Sequence, residues 1–108
     1  MLSRRICTGI LTISFALAST ALHAQAAGAD TYKAKCQMCH GATGLGDTPA
    51  GKAMKAISFK DPTLIAKSDA DLIAATTNGK EKMPAYKGKL TDGQIKEVIT
   101  YIRTLQKK

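Results

Sequence analysis

Apolar side chains recur at three- and four-residue spacing most clearly near the C-terminal end, where Ile95, Val98, Ile99, Ile102 and Leu105 form one continuous stripe. That period predicts an amphipathic helix with one face turned inward. Thr91 and Gln94 open it as a capping box, and Lys107 and Lys108 suit the negative end of its dipole. A second helix of about three turns is predicted from Ser68. Asp71 supplies an acidic variant of the capping box there, Leu72, Ile73, Ala74 and Ala75 follow, and Asn78-Gly79 closes the segment.

Further upstream, Asp30 is expected to cap a first helix running through Tyr32 and Ala34 toward Cys39. The stretch from Gly41 to Gly51 holds Gly44, Gly46, Asp47 and Pro49, too many breakers for regular structure. Lys52 to Ile57 is expected to form a short helix, ended by Phe59-Lys60-Asp61-Pro62 because proline disfavours the helical region for the residue before it. Residues 80–90, with Met83-Pro84, Gly88 and several charges, read as a surface loop. There is no internal repeat, no useful strand alternation and no dividing linker, so the expectation is one all-α domain of roughly three to five short helices.

The N-terminal region departs from this pattern. After Arg4 and Arg5 no charge occurs from Ile6 to Ala29, and small residues surround Ala24-Gln25-Ala26. This is the form of a secretory signal peptide, placed at residues 1–26 with the mature domain at 27–108. A cut after Ala24 or Ala27, and retention of the run as a membrane anchor, stay open, although Thr, Ser and His23 dilute its apolar core. The reading implies export to the periplasm and no stable membrane insertion once the signal is removed.

Cleavage changes the remaining chemistry. The formal charge of +8 loses Arg4 and Arg5 and becomes +6, still basic. A basic exported domain suits acidic protein partners better than nucleic acid, and no aromatic residues alternate with its lysines to stack bases. Cys7 and His23 also leave, so Cys36, Cys39 and His40 are the only cysteines and histidine that remain. Too few ligands are left for a zinc site, and no βαβ pattern frames a thioredoxin-like pair.

Those three residues stand in one pentapeptide, Cys36-Gln37-Met38-Cys39-His40. C-x-x-C-H is the pattern through which c-type haem is attached: two thiols two residues apart can each add to a porphyrin vinyl group, and the histidine that follows is held beneath the iron. A covalently held porphyrin also answers a second difficulty. About 82 residues of the 108 remain after cleavage, with no Trp and few aromatics, which is little for an independent apolar core. The flat apolar ring supplies the body around which short helices close.

A second axial ligand, if present, must be a methionine. Met38 lies between the thioether cysteines on the wrong side of the ring, and Met54 on an expected short helix reads as core. Met83 stands in a polar loop stiffened by Pro84, with no helical stripe of its own to join. The spacing favours Met83 and leaves Met54 open.

In this order (C-x-x-C-H early, a Met-Pro pair about forty residues later, and a final amphipathic helix carrying Tyr101-Ile102), the chain resembles the class I cytochromes c over its whole mature length. The resemblance implies a small all-α cytochrome c fold wrapped around one covalently attached haem c per chain. Cys36 and Cys39 would be the thioether attachments, His40 the proximal ligand and Met83 the distal one. It further implies that the carbonyl of Pro49 accepts the His40 imidazole N–H, and that Gly28 or Ala29, Tyr32 and Tyr101 pack the first helix against the last.

The function implied is a monomeric, soluble one-electron carrier and not an enzyme, cycling His/Met-ligated iron between Fe(III) and Fe(II) in a respiratory chain. Its partners would be acidic redox proteins such as a reductase or a terminal oxidase. Lys80, Lys82, Lys87 and Lys89, with Glu81 the one acid among them, offer a basic rim for docking or form a merely solvated loop. The rival reading is a haem enzyme or gas sensor whose Met ligand is labile or absent. One haem motif, no free histidine, and a single mature arginine, Arg103, on the last helix speak against it.

Overall fold

The computed structural model describes residues 15–108, with side chains from residue 20 onward. Arg4, Arg5, Cys7 and the start of the uncharged run at Ile6 lie outside the described residues. The described residues form six helices: α1 Phe15–Lys35, α2 Gln37–His40, α3 Pro49–Ala53, α4 Pro62–Ile65, α5 Asp69–Asn78 and α6 Asp92–Gln106. α2 and α4 are single turns of 4 residues, and the only pairing outside helices among the described residues is two isolated bridges, Lys80 with Met83 and Lys87 with Leu90. No helix among the described residues is long and apolar enough to cross a membrane.

α6 follows its pattern closely. The Thr91 hydroxyl accepts from the Gln94 N–H at 3.1 Å while the Gln94 side chain accepts from the Thr91 N–H at 2.9 Å, so the capping box is complete. All five stripe residues, Ile95, Val98, Ile99, Ile102 and Leu105, are buried. They join Tyr32, Cys36 and Phe59 in the core, with Leu64, Leu72, Ile73 and Tyr101 packed around it. α5 likewise starts at its expected cap, the Ser68 hydroxyl accepting from the Asp71 N–H at 3.1 Å.

α1 and α6 cross where Gly28 removes a side chain. A Cβ there would lie 2.2 Å from the Glu97 carbonyl oxygen and 3.1 Å from the Tyr101 Cβ. The bare α-carbon lets the two helix backbones touch at this residue, and the Tyr32 and Tyr101 rings pack together at 5.3 Å. Of the two positions expected to allow this contact, Gly28 is the one that carries it.

Three local expectations are corrected. Asp30 does not cap α1; it sits inside it, because the Ala-rich stretch before it is itself a good helix former and the chain enters the helix far upstream. The short helix expected from Lys52 starts at Pro49, with the Thr48 hydroxyl accepting from the Gly51 N–H at 2.9 Å. Asp61-Pro62, read as a terminator, starts α4: the Asp61 carboxylate accepts from the Thr63 N–H at 2.8 Å and Pro62 takes the first helical position.

Candidate functional site

Cys36 lies between α1 and α2, so the pentapeptide forms its own turn instead of extending the first helix. Three contacts hold that turn. The buried Tyr32 hydroxyl donates to the Gly41 carbonyl at 2.6 Å. The Thr48 hydroxyl donates toward the carbonyls of Met38 at 2.7 Å and Cys39 at 3.0 Å. Gly51 packs so close that a Cβ on it would be 2.1 Å from the Cys39 carbonyl oxygen. These bonds use carbonyls that a helix end leaves free, and they fix the motif against α1 and α3.

The two thiols and the imidazole open into a cleft of about 370 Å³. That is within the roughly 300–1,000 Å³ of small-molecule and cofactor sites. Its floor comes from α6 (Val98, Ile99, Ile102) and its sides from Leu72, Ala75 and Thr76 of α5 and from Ile57 and Phe59 after α3. Met83, Pro84 and Tyr86 of loop 80–90 also line the cleft.

Loop 80–90 reaches the cleft because Gly79 ends α5 at φ 75°; a side chain there would meet the Met83 carbonyl oxygen at 2.8 Å. The Lys80 and Met83 backbones then bond each other at 3.1 and 2.9 Å, with Glu81 in the left-handed region at φ 53°. Such a conformation in a non-glycine residue is a local strain held by its surroundings.

Burial disfavours charge on two groups of the site, Cys36 and His40. Burial, then the neighbouring Cys39, pushes the Cys36 thiol up to about 11. Burial lowers His40 below its ordinary imidazole value. Its ring stacks on Phe59 with centroids 4.6 Å apart, and its Nδ1 is buried with no hydrogen-bond partner. The expected bond from this ring to the Pro49 carbonyl is therefore absent here. Lys35, Lys55, Lys80 and Lys82 rim the opening.

Cys36, Cys39, His40 and Met83 thus all line one cleft. Met54 does too; it is not core but the 42 % exposed residue closing α3, while Met38 is 78 % exposed at the rim. Phe59 and Thr48 were missed as site residues, and for Thr48 the signal was present, a cap residue directly before Pro49. A c-type haem fits these residues: an apolar slot lined by two free thiols and an imidazole. Among the described residues no group of three or more His, Cys, Asp or Glu could hold a bare metal ion.

Comparison with known proteins points the same way. Residues 23–102 match the family described as cytochrome C oxidase, cbb3-type, subunit III. The chain is 38% identical over 95 residues to cytochrome c6 of Nostoc sp. (strain PCC 7120 / SAG 25.82 / UTEX 2576), covering 87% of this chain and 83% of that protein. It is 38% identical over 78 residues to cytochrome c6 of Leptolyngbya boryana, covering 71% of this chain and 87% of the relative. Cytochrome c6 of Limnospira maxima is 37% identical over 82 residues, 71% of this chain and 88% of that one. The chain belongs to the class I monohaem cytochromes c, carrying a covalently attached haem c and serving in electron transfer rather than as an enzyme.

Proposed function

We propose that the protein is a soluble periplasmic shuttle in which Cys36 and Cys39 hold the haem, His40 is the proximal ligand and Met83 the distal one. The observation that carries this reading is the convergence of all four on one apolar cleft, Cys36, Cys39 and His40 from the pentapeptide and Met83 from loop 80–90. When bound, haem iron supplies a one-electron Fe(III)/Fe(II) couple. The chain's own residues do the rest. Cys36 and Cys39 anchor the ring edge, Phe59 holds the His40 ring in plane by stacking, and α5 and α6 exclude water. A thioether from Met83 favours the reduced iron, and the apolar walls do the same by disfavouring net charge, so both raise the potential.

Cleavage near Ala26 fits the packing of α1: residues 20–23 are exposed, Leu22 at 67 %, and burial begins at Gly28. Docking is assigned to loop 80–90. Lys80, Lys82, Lys87 and Lys89 against Glu81 give this loop a local charge of +3, which suits an acidic reductase or terminal oxidase in a respiratory chain. Transfer to such a partner slows as salt rises, because the screening length drops from about 10 Å at 0.1 M to about 3 Å at 1 M.

The test is a redox titration with carbon monoxide added to the reduced protein. A single-electron curve and no carbon monoxide adduct at neutral pH are expected, since a firm Met83 ligand closes the iron. Rapid adduct formation would instead favour an open, sensor- or enzyme-like iron.

A further inference from the structure

Tyr86 stands three residues after Met83 and belongs to none of the groups that attach or ligate the haem. Its backbone N–H donates to the Thr76 carbonyl and that of Lys87 to the Thr77 carbonyl, each at 3.0 Å, which stitches the descending half of the loop to the end of α5. Its carbonyl in turn accepts from Lys89 at 2.9 Å and Leu90 at 3.0 Å. The backbone of Tyr86 is therefore fixed within its own half of the molecule.

The side chain points the other way. Its hydroxyl donates to the Lys35 carbonyl at 2.9 Å, across 51 residues of sequence. Lys35 is the last residue of α1 and directly precedes Cys36. The half-buried ring lines the cleft, and the Lys89 ammonium lies over it, 5.8 Å from its centroid. Among the described residues this is the hydrogen bond that crosses from loop 80–90 to the segment bearing Cys36, Cys39 and His40. The Lys80–Met83 bridge is internal to the loop, and Gly79 permits close approach only to α5.

We propose that Tyr86 is a positioning residue, a hydroxyl latch that holds the Met83 loop against the haem-attachment segment and so sets how readily Met83 leaves the iron. The inference rests on the reading of Met83 as the distal ligand. The latch acts through geometry: loss of the hydroxyl leaves the ring packed but lets the loop swing about its remaining anchors on α5.

The test titrates exogenous imidazole into the ferric holoprotein and follows the far-red sulfur-to-iron absorption as Met83 is displaced. Wild type, Tyr86→Phe and Tyr101→Phe are compared, each with its thermal unfolding midpoint. Tyr86→Phe is expected to bind imidazole about 2- to 10-fold more tightly, the factor set by one lost hydrogen bond. Tyr101→Phe, whose ring packs at the α1–α6 contact and not in the cleft, should match wild type. Unchanged imidazole affinity in Tyr86→Phe, with or without a lower midpoint, overturns the latch and leaves the Met83 assignment standing. Absence of the far-red band from wild type removes the ligand assignment and the latch with it.

Discussion

Replacing Gly28 with Ala pits two opposing effects against each other. In the middle of a helix, Ala is favoured over Gly by about 1 kcal/mol because it restricts the unfolded chain. Here the added Cβ would stand 2.2 Å from the Glu97 carbonyl oxygen and 2.8 Å from its carbon, whereas ordinary contact begins near 3.4 Å. α1 and α6 must separate locally by about 1.2 Å, and neither contact is a flexible side-chain end that can rotate away. Overpacking of this kind costs about 1–3 kcal/mol, with the rigid backbone placing it at the upper end. The net expectation is a loss of about 1–2 kcal/mol, or a fall of roughly 4–16 °C in Tm for a domain of this size. Gly93→Ala is the control: a Cβ there finds only the Thr91 hydroxyl oxygen, at 3.9 Å, so its midpoint should stay level or rise. Thermal unfolding of the holoprotein, followed by far-ultraviolet circular dichroism, reads both. A Gly28→Ala midpoint equal to or above wild type would refute the close backbone crossing.

Other perturbations separate strong contacts from weak ones. Thr91→Ala removes the hydroxyl that accepts from the Gln94 N–H, while the backbone N–H at position 91 can still donate to the Gln94 side chain, and should cost about 1 kcal/mol in urea unfolding, with no change in the visible spectrum. Arg103 bonds the Asp69 carboxylate at 2.8 Å and also the Ile65 and Lys67 carbonyls. Because Asp69 is 66% exposed, Asp69→Asn should cost at most about 1 kcal/mol, while Arg103→Ala, which also abandons two carbonyls, should cost about 1–3 kcal/mol. Equal losses would contradict that ranking.

Sequence reading recovered what local rules determine. The α6 stripe and the caps at Ser68 and Thr91 all stand where period and capping chemistry put them. Two errors share one cause: Thr48-Pro49 and Asp61-Pro62 were read as breaks, although a capping side chain followed by proline is a helix start. Asp30 failed as a cap for the opposite reason, since a cap works only where the chain enters a helix, and here the helix is already running. Within the site, the pentapeptide was legible because its spacing is the chemistry. Its supports were not: the Tyr32 bond to Gly41, the Thr48 bonds to Met38 and Cys39, and the Tyr86 bond to Lys35 all depend on which carbonyls are left free where α1 and α2 end. Phe59 sits in a stretch read only as a terminator, yet it becomes core and stacks on His40. Met54, expected to be buried, borders the same cleft as Met83, so both thioethers stand within the site's walls.

That pair of methionines defines the measurement that bears most directly on the central claim. Far-red absorption spectra of the ferric holoprotein should be recorded for wild type, Met83→Ala and Met54→Ala. The account predicts the sulfur-to-iron band in wild type and in Met54→Ala and its loss in Met83→Ala, with carbon monoxide then binding the reduced Met83 variant. A band that survives in Met83→Ala, or disappears in Met54→Ala, would contradict an iron held between His40 and Met83.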